Sequence, residues 1–580
     1  MKQEQERDVL PGLWGLIPKR MKICFLTGMI SGILIHAYMF TNKLSNSDDL
    51  KYLGGYGVGK EFGRWFLHIV NPWDGNYSAP WLTGLFAVFF LSLASCLVLS
   101  ILKIESVTGS ILVPLMMMSF PSVCSMFTYM FTADCYAVGI FLAVCAAWLI
   151  RKYRYGFLPG IALLVLSLGL YQSYLCLALG LLVIALFMDS LREAEQGEGK
   201  KAVWRIIRQG IMTLVILLCS VLLYTLVTRL INPDLSEYNG ISALGSFDLS
   251  RLPRLILRAY RYVAEYFILK PYSFVTDFAY VLNILVCLFA VAFVMVPFFR
   301  RKIYKRPLLA VLYLFLAACI PLAMGSIIIM APDATVTMLM LYQYVIVYLF
   351  VIAMMERIPV LKASPLPSPA PGEETSPLPS PAPGEETSSL PSPAPDEETE
   401  PAAGTGKDTA CRRYFHADRL IAFGITAVLL LVTYENTVVT NLAYFRMGIT
   451  YERVYAYYNR MVARIEATEG YESGDTFVLL GEYGLSETPD FLGDYPVAWT
   501  EDYYEDLSGV ALEYSLLNSG SRYDFIRDYI GVSNTSVSDE EIALIKESEE
   551  YQAMPVYPAD GCVSRINGVW VLKVCEETVE

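Results

Sequence analysis

The sequence predicts an all-α polytopic membrane protein of about eleven spans, followed by a small C-terminal α/β domain outside the bilayer. Three observations carry this expectation. Apolar residues make up 55% of the 580 residues and charged residues 17%, against an ordinary soluble share of roughly 25% charged. The apolar residues fall into runs long enough to cross a bilayer. Charge also divides along the chain. Residues 441–580 carry 9 basic and 26 acidic side chains, a net of −17 within a total of −13, which leaves residues 1–440 at +4. A purely soluble protein is excluded. Nucleic acid is not an expected partner, because the basic residues sit beside apolar spans and the acidic tail repels phosphate.

The first run, about 23–40, follows Lys19, Arg20 and Lys22, and lacks the small-residue cleavage pattern of a signal peptide. It reads as a retained span that starts inside the cell. Further spans are expected at roughly 81–102, 107–123, 135–150, 157–171, 174–189, 210–230, 276–298, 307–329, 335–355 and 420–440. The stretch 157–189 is split at Tyr171-Gln172-Ser173-Tyr174 into two short spans. With that split, the basic clusters at 151–154, 192–208, 300–306 and 412–419 all fall on the cytoplasmic side, as the positive-inside trend requires. The outer segments are then 41–80, about 124–134, 231–275, about 330–334, and the tail.

The domains expected are a transmembrane module over 1–362, a cytoplasmic linker over 363–410, a last span within 411–440 and an outer domain over 441–580. The linker holds three copies of a twelve-residue unit, starting at Ser364, Ser376 and Ser388. A proline-rich polar run of this kind cannot bury a core and reads as an extended, disordered spacer. In the tail, 451–469 reads as a helix with Val454, Tyr458, Met461 and Ile465 in one apolar stripe. Residues 476–480 and 569–574 read as buried strands. The tyrosines and acids at 501–506 read either as a sugar-contacting patch or as a solvated acidic surface.

The twelve cysteines lie mostly in apolar spans, where cysteine packs as a small hydrophobe. No C-x-x-C pair occurs, and His36, His68 and His416 are scattered, so a zinc site is not expected; no cofactor is indicated, and a divalent metal stays open. A tail outside the cell leaves a Cys562–Cys575 disulfide open. Asn76-Tyr77-Ser78 and Asn534-Thr535-Ser536 fit glycosylation sequons.

The candidate site residues lie in the outer segments. Asn46-Ser47-Asp48-Asp49-Leu50 places two adjacent carboxylates just past the first span. In extended backbone they point to opposite sides, so one of them reaches a given substrate atom. Residues 59–70, if helical, put Lys60 and Arg64 on one face of an interfacial helix, suited to membrane anchoring or to cradling an anion. Arg254, Arg258 and Arg261 share a helical face near Arg251 and Lys270, where lipid phosphate is the natural ligand. Asp134 reads as a helix N-cap or as a second active-site carboxylate.

Together these residues suit glycosyl transfer from a lipid-phosphate sugar to an acceptor hydroxyl. The hydroxyl is a weak nucleophile and needs a base, Asp48 or Asp49. The departing phosphate gains charge in the transition state, which Lys60, Arg64 or the 254–261 arginines stabilise selectively. One base and direct displacement invert the anomeric centre.

Ser47-Asp48-Asp49-Leu50, then Tyr56-Gly57 and Gly63-Arg64-Trp65, resembles the bacterial O-antigen glucosyltransferase family of GtrII type, and Tyr171-Gln172 resembles that family's Tyr-Gln segment. The resemblance covers about 15–360 and the last span. It implies a GT-C fold, a bacterial plasma-membrane location, a polyprenyl-phosphate sugar donor and a cell-surface glycan acceptor. Asp48 and Asp49 match the acidic motif and Arg64 the Gly-Arg-Trp arginine, and analogy with GT-C enzymes favours Asp48 as base. The rival readings are a polysaccharide polymerase or ligase, a lipid-linked sugar flippase and a ligand sensor. A flippase would carry ionisable residues at mid-membrane and inverted repeats; the spans show almost no charge and no clear duplication.

Overall fold

The computed structural model describes residues 15–44, 47–51, 59–75, 77–197, 199–232, 250–269, 276–333, 336–358, 406–481, 521–534 and 536–574. The proline-rich repeats, Asn46, Tyr56-Gly57, Asn76, Lys270, residues 501–506 and Cys575 lie outside the described residues.

Among the described residues nine helices are long and apolar enough to cross a membrane: Lys19–Thr41, Pro80–Leu102, Met130–Lys152, Tyr174–Gln196, Lys200–Ile231, Asp277–Arg300, Pro307–Met324, Met338–Met355 and part of a final helix. The bent pair Val107–Ser119 and Pro121–Phe127, turned by 48°, makes a tenth if its two helices cross together and a re-entrant loop if they do not. The break falls at Pro121, whose missing N–H and ring favour a new helix start over continuation. The split at 171–174 is borne out: Phe157–Leu168 and Tyr174–Gln196 are separate helices. The chain is a multi-pass, all-α membrane protein with a few C-terminal strands.

Burial separates centre from periphery. In the most apolar window of Tyr174–Gln196, 89% of residues lie inside the protein, against 17% for Asp277–Arg300, which lies at the periphery of the bundle. The first helix meets Pro80–Leu102 through Gly28 and Gly32, one turn apart. A Cβ on Gly28 would stand 3.3 Å from the Ser92 Cα, and one on Gly32 2.7 Å from Val88 Cγ1. This is the small-x-x-x-small contact that lets helix backbones approach inside a bilayer. His36 joins three helices, its Nε2–H donating to the Met118 carbonyl at 3.0 Å and its Nδ1 accepting from the Tyr444 hydroxyl at 2.8 Å.

The basic clusters gather at one end of the bundle. Arg151 pairs with Asp189, Arg192 reaches the same carboxylate at 3.7 Å, and Arg301 and Arg357 reach Glu195 at 3.1 and 2.6 Å. Ser106 caps the helix Val107–Ser119 and donates to Glu356. The acidic turn, the Gly63-Arg64-Trp65 loop and the Tyr171-Gln172 turn occupy the opposite end.

The final helix, Gly406–Glu466, is 61 residues long. It runs unbroken through the boundary expected at 440 and contains most of the tail helix expected at 451–469. Val454, Tyr458, Met461 and Ile465 are all buried, as the stripe predicts. Beyond it lies a three-stranded sheet of order β1-β3-β2: β1 (Phe477–Leu480), β2 (Val563–Ile566) and β3 (Val569–Lys573). β1 runs parallel to β3, and β2 antiparallel to it. The β2–β3 turn is Asn567-Gly568, both at positive φ, the two-residue turn whose twist suits a hairpin. Both expected strands are present. They read as continuous apolar runs because both faces are covered. Phe477, Leu479, Trp570 and Leu572 join the cluster that contains the final helix, while Val478, Leu480 and Val571 pack on Ile545, Tyr551 and Met554. Asn534, the second sequon asparagine, donates to the Phe477 carbonyl at 2.6 Å and accepts its N–H at 3.0 Å, and so serves the sheet.

Candidate active site

Ser47–Lys51 forms a short helix, not extended backbone. Successive residues there still diverge by about 100°, so the two carboxylates separate as expected, for a different reason. Asp49 is fully buried and held from three directions. Lys43 Nζ donates to Oδ2 at 2.5 Å, while Ser78 Oγ and the Phe131 N–H both donate to Oδ1 at 2.7 Å. Lys43 also donates to Ser78 Oγ at 2.6 Å. Burial lowers the Lys43 pKa, and the Asp49 carboxylate opposes that shift. Three segments separated in sequence therefore meet on one carboxylate. Asp48, beside it, is exposed.

The stretch 59–70 is not one helix, which corrects the expected amphipathic face. A 3-10 turn, Lys60–Phe62, ends at Gly63, whose φ of +70° a side chain would resist. A Cβ there would also come within 2.4 Å of the Tyr224 hydroxyl. A separate short helix, Leu67–Val70, follows. Lys60 is exposed, while Arg64 turns inward.

Arg64 is held by aromatic groups from two other helices and the 169–173 turn. Its Nη1 donates to the Tyr136 hydroxyl at 3.2 Å, and its guanidinium lies 4.8 Å over the Tyr171 ring. Burial opposes its charge, yet the surrounding Tyr136, Tyr171, Tyr129 and Tyr224 leave its pKa raised. Its Nε is buried without a hydrogen-bond partner among the described residues. Gln172 Nε2 donates to the Phe62 carbonyl at 2.8 Å and to Tyr224 at 3.0 Å, and the Tyr224 hydroxyl donates to the Gly63 carbonyl at 3.1 Å. Trp65 Nε1 donates to Thr228 at 3.2 Å, and the Phe66 N–H to the Gly169 carbonyl at 2.9 Å. Asp48 and Arg64 both lie within electrostatic reach of the Tyr136 hydroxyl. Of the three sequence motifs, the acidic turn, the Gly-Arg-Trp loop and the Tyr-Gln turn therefore converge.

The remaining candidates sit elsewhere. Asp134 is buried in the first turn of Ala133–Lys152. The N-cap is Thr132, which corrects the capping expectation, and Asp134 accepts the Cys135 N–H at 2.7 Å. Arg258 donates to the Pro332 carbonyl at 2.7 Å, Arg261 pairs with Glu265 at 2.6 Å, and Arg254 is exposed. None of these contacts joins them to Asp48 or Arg64. Sequence reasoning missed Lys43, Ser78, Tyr136 and Tyr224 as site residues. Ser78 carries only the signal of a glycosylation sequon, Lys43 lies six residues before Asp49 without a motif of its own, and Tyr136 and Tyr224 are brought near by the fold alone. Among the described residues no cluster of three His, Cys, Asp or Glu is placed to hold a metal.

The family model described as Glucosyl transferase GtrII matches residues 37–354. That span begins in the first helix and ends in Met338–Met355, so it contains the acidic turn, Arg64 and Tyr171-Gln172. No curated protein and no solved structure matches the chain. A match over more than half of the 580 residues, on the part of the bundle that carries the converging motifs, leads to one conclusion: this chain belongs to the GtrII glucosyl transferase family.

Proposed function

We propose that this glucosyltransferase moves glucose from a polyprenyl-phosphate donor to a hydroxyl of a cell-surface glycan, with inversion, and that Asp48 is the general base. The contrast between the two carboxylates carries the reading. Asp49 is saturated by Lys43, Ser78 and the Phe131 N–H, while Asp48 is exposed at the same turn. The acceptor O–H gives its proton to Asp48 as its oxygen bonds to the anomeric carbon. The bond from that carbon to the donor phosphate breaks, and the polyprenyl phosphate leaves with the electron pair. Arg64 faces the growing phosphate charge, and its buried Nε is the donor that such an oxygen would satisfy. Asp49 positions Asp48, and Asp134 supports the adjoining helix start. The site end of the bundle faces outward in this reading, since the basic clusters at the other end fit the cytoplasmic side of a bacterial plasma membrane.

The test compares Asp48→Asn with Asp49→Asn in membranes supplied with polyprenyl-phosphate glucose and surface glycan. Asp48→Asn should abolish transfer while the protein stays as stable as the parent. Asp49→Asn should lower thermal stability, because the largely buried Lys43 loses its carboxylate and keeps only Ser78. Full transfer by both variants rejects the base assignment. Arg64→Ala should raise the donor KM and lower kcat together; an unchanged donor response would make Arg64 an anchor only.

A further inference from the structure

We propose that the arginine row Arg254, Arg258 and Arg261 on the helix Leu252–Ala264 is a docking site for the headgroups of anionic phospholipids in the surrounding bilayer, separate from the donor site. The residues recur at i, i+4 and i+7, so they line one face. All three are exposed. The opposite face is fixed to the bundle: Ala259 is buried, and the Tyr260 hydroxyl donates to the Ala318 carbonyl of Pro307–Met324 at 2.8 Å. That anchor holds the helix against the C-terminal half of the span Pro307–Met324. Leu257 on its flank is 72% exposed, and Leu269 just beyond its end is 63% exposed. Water would be a poor neighbour for both, and acyl chains a good one.

Charge selects the kind of lipid. The helix has no acidic residue in its first turn, and Glu265 beyond its end offsets one arginine only. Arg258 donates through Nη1 to the Pro332 carbonyl and through Nη2 to the Tyr262 hydroxyl at 3.4 Å, with its guanidinium 5.5 Å from the Tyr262 ring centroid, so its planar fork is already oriented. A row of guanidinium groups beside an apolar flank matches phosphodiester headgroups above acyl chains. A neutral zwitterionic headgroup brings its own cation to the same place.

The experiment uses the full-length protein in detergent, with native mass spectrometry after equilibration with phosphatidylglycerol, phosphatidylcholine or a polyprenyl phosphate. The parent should retain phosphatidylglycerol over phosphatidylcholine. Replacing all three arginines by glutamine should cut phosphatidylglycerol retention about threefold or more, since each basic group near an anionic surface contributes measurably, and leave phosphatidylcholine unchanged. Replacing them by lysine should keep the preference. Undiminished phosphatidylglycerol retention in the triple glutamine variant overturns the proposal. So does loss of polyprenyl phosphate retention alone, which would place the row at the donor. Should the triple variant not be monodisperse, Arg254→Gln is read in the same assay, with a smaller fall expected and no fall counting against the site.

Discussion

At the scale of single residues, the site depends on one carboxylate being buried and locked while its neighbour stays exposed. Asp49 gains three donors, which tie down the short helix that also carries Asp48. Removing one donor should therefore be felt in catalysis more than in folding. Ser78→Ala leaves Lys43 and the Phe131 N–H in place and costs about 1 kcal/mol. It should lower kcat severalfold with the donor KM unchanged, which steady-state kinetics on membranes can read. Gly63 is less forgiving. Its φ of +70° and the Tyr224 hydroxyl beside it leave no room for a methyl group. Gly63→Ala should cost about 1–3 kcal/mol of local strain, shift Arg64 off Tyr171 and reduce donor use. Wild-type kinetics in that variant would show that the loop conformation is not needed.

At the scale of elements, the active end is set by how closely helices approach. The first helix delivers Lys43 and the acidic turn, and Gly28 and Gly32 set its distance from Pro80–Leu102. Gly28→Leu pushes these backbones apart well below the site. It should reduce transfer strongly without touching any site residue, while Gly28→Ser should be tolerated better; equal activity in the parent and Gly28→Leu would refute the coupling. The loop 59–70 shows the limit of pattern reading. Lys60 and Arg64 have helical spacing and interfacial neighbours, yet Gly63 ends the turn between them. The arginine then turns toward aromatic rings supplied by Tyr136 and Tyr171.

At the scale of the molecule, one end of the bundle holds the ion pairs around Asp189 and Glu195, and the other holds the candidate site. A cysteine in place of Lys60 should react with a membrane-impermeant maleimide added to intact cells, and one in place of Arg154 only after permeabilisation. The comparison needs a background free of the twelve native cysteines. The reverse pattern would turn the proposed acceptor side to the cytosol. The C-terminal part of the chain also reaches the site end. Its short helix Arg522–Phe525 rests against Ser47–Lys51. Phe525 is buried between Tyr451 and Tyr529, at ring distances of 5.3 and 4.9 Å. Phe525→Ala removes a buried ring, at a cost of about 3–5 kcal/mol. Amide exchange over residues 47–51 should rise in that variant, and unchanged protection there would separate this helix from the site.

The sequence by itself determined the helical membrane architecture, the buried strands of the tail and the residues of the motifs, but not the number of spans: nine or ten of the described helices are long enough to cross, and the expected span at 157–171 is only the twelve-residue helix Phe157–Leu168. Hydrophobic length, basic-residue placement and short motifs are local properties, and a chain displays them before it folds. Only the tertiary structure decided which aspartate is locked, which arginine enters the site and which arginines stay at the surface. Those outcomes depend on partners more than eighty residues away, such as Phe131 for Asp49 and Tyr171 for Arg64. Hydrogen bonds and ring contacts of that range leave no trace in the spacing of either partner.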